Sequence, residues 1–335
     1  MIVNTPPLED KDMEVLEKTL RPAVWDDFIG QERVKSTLSV IMEAAKKRKE
    51  ALEHLLFYGN SGLGKTSLAN VVANTMGVGI KKSAGPALER PGDVASLLSN
   101  LAEGEVLFID EIHRANKSVM EMLYSAMEDF ALHLILGKGP MARTMELKLP
   151  RFTLIGATTK MGLLPAPLRN RFGATFQLGF YEKKNMEDIV RRSAKILQVP
   201  IHEEAVGIIA ERSRFTPRVA NRILKRVRDF ASVQGTGTIT KETALQALKF
   251  LNVDDLGLEP DDRKILEAII LKFSGGPVGI EALSAATSEE EDTVLDIYEP
   301  YLLQLGFIER TPKGRTATKK AYEHLGISKE KHNLL

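Results

Sequence analysis

The stretch from His54 to Ala73, HLLFYGNSGLGKTSLANVVA, passes from an apolar segment through a glycine-rich turn into a helical pattern that opens on a lysine. Its centre, Gly59-Asn60-Ser61-Gly62-Leu63-Gly64-Lys65-Thr66, satisfies G-x-x-x-x-G-K-[ST]. Glycines let a backbone wrap an anion with its N–H groups turned inward. A helix starting near Lys65 adds the positive end of its dipole, and the lysine reaches the outer phosphates. The Thr66 hydroxyl offers the hard oxygen that Mg²⁺ takes. HLLFY before the turn reads as a buried strand and TSLANVVANTM after it as a helix, a context that an ordinary glycine-rich connection lacks. The stretch reads as a nucleotide site.

Composition sets wider bounds. The chain has 335 residues, enough for two or three domains with their own cores, and its 43% hydrophobic and 27% charged content is that of a globular protein. No apolar run approaches the roughly 18 residues that span a membrane, and MIVNTPPLEDKDMEV lacks a signal-peptide pattern, so a cytoplasmic location is expected. Zero cysteines exclude disulfides and thiolate metal sites, and the six histidines show no metal-ligand spacing. A net charge of +1 argues neither for nor against nucleic acid, so any binding patch must come from local segregation of charge.

Two further stretches belong with the turn. GEVLFIDEIHR (104–114) is an apolar strand pattern ending in Asp110 and Glu111. Beside a phosphate cradle, Asp110 can hold the Mg²⁺ shell while Glu111 orients and deprotonates the attacking water. FTLIGATTKMGLLPAPLRNRFG (152–173) begins as another buried strand and closes on Thr158-Thr159, hydroxyls within reach of a γ-phosphate or the water. Arg169 and Arg171 follow two prolines. An arginine offered to a neighbouring subunit makes hydrolysis depend on assembly; the competing reading pairs both with surface acids.

Strands alternate with helices through residue 180, which predicts a mostly parallel sheet between helices. From 182 to 252 the strands stop. RVANRILKRVRDFA (218–231) would place Val219, Ile223, Val227 and Phe230 on one helical face, and FTPR (215–218) puts Arg218 in the first turn as a phosphate sensor or a surface arginine. LNVDDLGLEPDD (251–262) reads as a linker. Helical patterns at 262–273, 279–286 and 290–305 then precede a hairpin within 307–322, the outline of a winged helix. Residues 281–299 carry seven acids and no base, whereas 310–320 carry five bases and no acid. Arg310, Lys313 and Arg315 sit at the hairpin turn, where a wing meets a phosphate backbone; a solvated basic loop is the alternative. A second hairpin, LHLILGKGPMARTMELKL (132–149), carries apolar alternation on both arms and reads as a docking device.

With these pieces in place the chain resembles the RuvB family of AAA+ ATPases, motors of Holliday-junction branch migration in recombination and DNA repair. The likeness rests on LRP and FIGQ (20–31), GLGKT (62–66), ERPGD (89–93), LFIDEIHR (107–114), AMEDF (126–130), IGATT (155–159), PLRNRFG (167–173), TPRVANR (216–222) and YEPYLLQLGFIERTPKGR (298–315). It implies an α/β fold class: a large AAA+ P-loop NTPase domain (1–181), a small helical lid (182–252) and a C-terminal winged-helix head (255–335). It implies ATP or ADP and Mg²⁺ as ligands. Leu20, Arg21 and Tyr181 would line the adenine side; Gly62, Gly64, Lys65, Thr66 and Ser67 would bind phosphates; Glu128, Asp129 and Phe130 would lie near the nucleotide. Thr159 matches the first sensor, Arg171 the arginine finger and Arg218 the second sensor. Arg310 and Arg315 match the wing's DNA contacts, and the 132–149 hairpin matches the element that docks onto RuvA. The implied assembly is a homohexamer on double-stranded DNA working with RuvA and the RuvC resolvase, compatible with a monomer in isolation.

Departures from the family pattern are Asn60-Ser61 for two prolines, Ser125 for a proline, Phe215 for a glycine and Lys160-Met161 for Arg-Ala. Losing loop prolines lowers pre-organisation, and Phe215 puts the presentation of Arg218 in question. Two other functions compete. An AAA+ protein remodeller needs an aromatic-glycine pore loop, which the chain lacks; a nucleotide-gated regulator that reads bases needs no Glu111 or Arg171.

Overall fold

Leu55, Leu56 and Phe57 have no solvent exposure, as a strand covered on both faces requires. They form β1 (Leu55–Tyr58) in a computed structural model that describes residues 19–136, 143–235 and 237–328. The chain divides into two compact units, Met1–Phe180 and Tyr181–Leu335.

In the first unit β1 joins β2 (Ile80–Ala84), β3 (Val106–Asp110), β6 (Thr153–Thr158) and β7 (Ala174–Gln177) in one sheet of order β2-β3-β6-β1-β7. All four pairings are parallel, as the strand–helix alternation predicts. Tyr58 pairs with Thr158 and Ile109 with Gly156, so Gly59, Asp110 and Thr159 leave the sheet along one edge. Carboxyl ends of parallel strands are where open α/β sheets bind ligands. The helix Lys117–Asp129 shows why its neighbours stay in place: Val119, Met120, Leu123, Ala126 and Met127 recur at helical spacing and pack in one cluster with Leu107, Ile109 and Leu154. The helix Lys65–Met76 stops at Gly77, whose left-handed backbone (φ 74°) sends its N–H back to Asn74. Between β3 and β6 lies an antiparallel hairpin, β4 (Ala131–Leu136) and β5 (Arg143–Lys148), whose tip falls outside the described residues.

The second unit begins with helices Lys183–Ile196, Glu203–Glu211, Pro217–Val233 and Lys241–Phe250. Among the described residues from 181 to 254 the only β pairing is an isolated bridge between Ile201 and Ile239. The buried face of Pro217–Val233 is turned from the expected one. Ala220, Ile223, Leu224, Val227 and Ala231 are covered, while Val219 and Phe230 are half-buried and the Phe230 ring meets Phe250 at 5.9 Å. Small alanines allow close helix approach, which hydrophobicity alone does not reveal.

Further along the same unit come Pro260–Glu267 with a π-helical turn at Ala268–Lys272, then Ile280–Thr287, then a broken helix from Glu291 to Gln304. The hairpin β8 (Ile308–Thr311) and β9 (Gly314–Ala317) follows, with Arg310 directly opposite Arg315. The three helical patterns and the wing are therefore where the sequence puts them. The stretch read as a linker is a packed joint instead. Asp254 accepts from the N–H groups of Leu256 and Leu258 and from His324 at 2.9 Å, while Tyr301 donates to the Leu256 carbonyl at 2.6 Å. Arg214 is buried against Asp262, Arg222 pairs with Glu259, and Arg212 pairs with Asp255. Burial pushes the Asp262 carboxyl up to about 6 against the opposing pull of Arg214, and its Oδ1 has no hydrogen-bond partner.

Candidate nucleotide site and basic wing

The turn after β1 owes its path to its glycines. Gly59 sits at φ 142°, and a Cβ there would stand 2.3 Å from the Leu178 carbonyl oxygen. Gly62 and Gly64 also take positive φ, at 81° and 99°. Positive-φ residues spaced along a turn allow its amide groups to converge on an anion, as in a backbone nest. Lys65 opens the helix, is 6% exposed, and bonds the carbonyls of Gly59 (2.8 Å) and Asn60 (3.0 Å). Its ammonium is thereby folded over the loop itself. Ser67 lies half-buried two positions further on.

The Thr66 hydroxyl donates to Asp110 Oδ2 at 3.0 Å, joining the loop to the end of β3. A hydroxyl and a carboxylate at this spacing form a donor set suited to a hard divalent cation. Glu111 follows in a left-handed conformation, φ 44°, that a glutamate adopts only under constraint. Its Oε2 accepts from the Thr159 amide (3.2 Å) and hydroxyl (3.1 Å) and lies 3.2 Å from His113 Nδ1. The same Nδ1 is 2.8 Å from the Thr158 hydroxyl, which also accepts from the Lys160 amide. His113 thus ties the acid after β3 to the threonine ending β6. The sequence carries no signal for it beyond its place after the acidic pair, since its second partner, Thr158, is remote in the chain.

Arg171 lies at the end of its unit's proline-flanked segment and pairs with Glu128. Its guanidinium also donates to Tyr124 at 3.1 Å and lies 5.0 Å over that ring. The Tyr124 hydrogen bond, then Glu128, hold its pKa above the ordinary arginine value. A tyrosine on an amphipathic helix reads as packing, so the sequence carries no signal for Tyr124. Asp129 is exposed, and the Phe130 ring meets His54 at a tilt and Phe152 edge-on, at 6.0 and 5.7 Å. Leu20 is buried and Arg21 half-buried near the start of the described chain. In the second unit Tyr181 is 5% exposed and donates its N–H to the Phe215 carbonyl, while Arg218 is exposed in the first turn of its helix. Phe215 takes φ 50°, the left-handed region that glycine adopts freely, and its ring meets Tyr301 at 6.4 Å.

On the wing, Lys313 is exposed at the turn. Arg310 and Arg315 share one carboxylate, Glu299, which is 1% exposed. That hydrogen bond raises the Arg310 pKa above its usual value.

Three family models match successive parts of this chain: the Holliday junction DNA helicase RuvB P-loop domain over residues 20–178, the RuvB AAA lid domain over 181–254, and the RuvB C-terminal winged helix domain over 255–326. The chain belongs to the RuvB family. Holliday junction branch migration complex subunits RuvB from Chloroflexus aggregans and Dehalococcoides mccartyi are 57% and 58% identical to it over 321 and 312 residues. Those alignments span 96% and 93% of this chain and 92% and 89% of the relatives. The solved Thermotoga maritima RuvB Holliday junction branch migration motor superposes with a TM-score of 0.85 at 48% identity, covering 92% of this chain and 99% of that one. In this RuvB chain the fold is therefore an AAA+ P-loop unit followed by lid and winged-helix modules, and nucleotide binding goes with it. No described helix is long and apolar enough to cross a membrane.

Proposed function

We propose that this RuvB chain is an ATP-hydrolysing subunit of a hexameric motor that draws double-stranded DNA through Holliday-junction branch migration. The observation that supports it best is the convergence of Lys65, Thr66, Asp110, Glu111 and Thr159 at one edge of the parallel sheet, on a chain that ends in a basic wing.

The division of labour follows from the residues. Backbone amides of the 59–66 turn and Lys65 bind the phosphates of ATP. Thr66 and Asp110 are the residues that would hold Mg²⁺, whose charge screens the phosphate oxygens. Glu111 orients and deprotonates the attacking water, and the two Thr159 donors hold its carboxylate in place meanwhile. Arg171 acts on the ATP of an adjoining copy, so that turnover requires assembly. Within this chain its guanidinium pairs with Glu128 and Tyr124. Leu20, Arg21, Ser67, Glu128, Asp129, Phe130, Tyr181 and Arg218 are assigned to nucleotide contact by their match to the family motifs. The wing contributes Arg310, Lys313 and Arg315 to the duplex, and backbone contacts suit a motor that must run along any sequence. RuvA would dock on the 132–149 hairpin, RuvC would act on the junction, and the cytoplasm is the compartment. The three-domain division at 1–181, 182–252 and 255–335 is retained as the working description.

Lys65→Ala is expected to abolish ATP binding and turnover. Arg171→Ala should bind ATP normally while its DNA-stimulated turnover falls roughly a thousandfold. Equilibrium binding of a fluorescent ATP analogue and steady-state ATPase with random-sequence duplex measure the two effects. Normal hydrolysis by Arg171→Ala with DNA present would show that the finger is another residue. A turnover rate indifferent to duplex, with binding to one sequence only, would favour a base-reading regulator.

A further inference from the structure

Arg310 and Arg315 face each other across the wing as direct β8–β9 partners. Like charges directly opposite on a two-stranded ladder repel, so this arrangement needs a counter-charge. Glu299 provides it from below. Its Oε1 accepts from Arg310 Nε at 2.6 Å and from Arg315 Nε at 3.1 Å, and its Oε2 accepts from Arg315 Nη2 at 3.1 Å. The carboxylate is 1% exposed, whereas the Arg315 side chain is 15% and the Arg310 side chain 56% exposed.

A buried carboxylate that takes both arginines by the Nε edge has a chemical consequence. A guanidinium is a planar fork, and fixing its Nε edge fixes the direction of its Nη edge. Arg310 has no other hydrogen-bond or ion-pair partner among the described residues, which leaves both of its Nη groups available to a bidentate acceptor such as a phosphate. The wing below them is itself fixed: Arg315 exchanges both backbone hydrogen bonds with Val278, and Gly314 at φ 135° lets the Val278 carbonyl approach to where a Cβ would meet it at 2.3 Å.

We propose that Glu299 is the positioning residue of the DNA-contacting wing, holding Arg310 and Arg315 as a preformed phosphate clamp. Glu299 does not touch the duplex. It removes the freedom that a long arginine side chain otherwise surrenders on binding. The alternative is that the acid only neutralises the wing. The two differ in sign, since neutralisation opposes duplex binding and positioning favours it. The inference rests on the reading that the wing meets DNA, and the experiment separates the two.

Full-length Glu299→Gln, Arg310→Lys, Arg310→Ala and Arg310→Glu would be titrated with a random-sequence fluorescent duplex over a series of KCl concentrations. The thermal transition of the second unit serves as a measure of intact folding. Positioning predicts that Glu299→Gln weakens duplex binding at least fivefold although it adds one net positive charge, without steepening the salt dependence. It also predicts that Arg310→Lys, which keeps the charge but has no Nε edge, loses as much affinity as Arg310→Ala. Tighter binding by Glu299→Gln, with log K against log salt steeper by about one, would overturn the proposal in favour of neutralisation. Arg310→Lys binding as well as the parent would overturn it too, and this exposed position decides the matter if Glu299→Gln fails to fold. Unchanged binding by Arg310→Glu would instead remove the wing from the DNA interface.

Discussion

His54 shows how one buried side chain sets a pH limit on the nucleotide-binding unit. Its Nδ1 accepts from the Leu154 amide at 2.9 Å, so the neutral ring carries its proton on Nε2, which faces the Met127 carbonyl. Burial lowers its pKa from 6.5 to about 4, only partly offset by the Met127 hydrogen bond. The unfolded chain therefore takes up a proton at a higher pH than the folded one. The stability this depressed pKa supplies is fully present above about 6.5 and is lost as pH falls toward 4, on the order of 3 kcal/mol in all. Urea unfolding at stepped pH should show this decline, and His54→Gln, although weaker at neutral pH, should flatten it. His113 acts differently, through Glu111 and Thr158. His113→Ala is expected to lower kcat about tenfold with little change in KM for ATP, and His113→Asn to recover part of it, since an amide can still reach both partners. An unchanged kcat in the alanine variant would make the histidine a packing residue.

At the scale of elements, the fold works by bringing strand ends and turns to the right edge. The P-loop follows β1, the acidic pair follows β3 and the threonines close β6, and the parallel register alone makes the three adjacent. The substitution of Asn60-Ser61 for prolines leaves this untouched, because Gly59, Gly62 and Gly64 carry the unusual dihedrals. The wing depends on one glycine in the same way. Gly314→Val should cost about 2 kcal/mol or more, through a strained backbone and the clash with Val278. Thermal unfolding should show it as a lower transition for the second unit, together with weakened duplex binding. ATPase without DNA should stay at its original rate, because the wing carries none of the residues proposed for nucleotide contact or catalysis.

For the whole molecule, the joint between the lid and the winged helix matters most. Arg212, Arg214 and Arg222 from the lid side meet Asp255, Asp262 and Glu259, and the Phe215 and Tyr301 rings add an aromatic contact. A segment tied at so many points transmits displacement instead of absorbing it, so lid and wing should move together. The cysteine-free chain makes this testable. Arg222→Cys paired with Glu259→Cys, bridged by a short bismaleimide, should retain branch migration and duplex-stimulated ATPase. Hydrolysis that persists while migration stops would mean that the joint is a working hinge. The departure at Phe215 belongs to this level as well. It gives up glycine's freedom at a left-handed position and gains a ring against Tyr301 in the neighbouring module.

The phosphate turn, the strand–helix alternation and the three helices before a hairpin were legible in the sequence because each rests on local spacing: glycines where the backbone must take positive φ, apolar runs where a strand is covered twice, turn residues between β-prone arms. Contacts between residues far apart in the chain were not. His113 beside Thr158, Tyr124 beneath Arg171, Glu299 between two arginines and Asp262 against Arg214 each join groups that no local pattern relates. The Gly-, Pro- and Asp-rich stretch at 251–262 has the composition of a loose connection and is a clamped joint for the same reason. Sequence by itself determined which chemical groups are present and which backbone shapes they permit. Tertiary structure alone decided which charges are buried together, because desolvation and pairing depend on distance in space and not on distance along the chain.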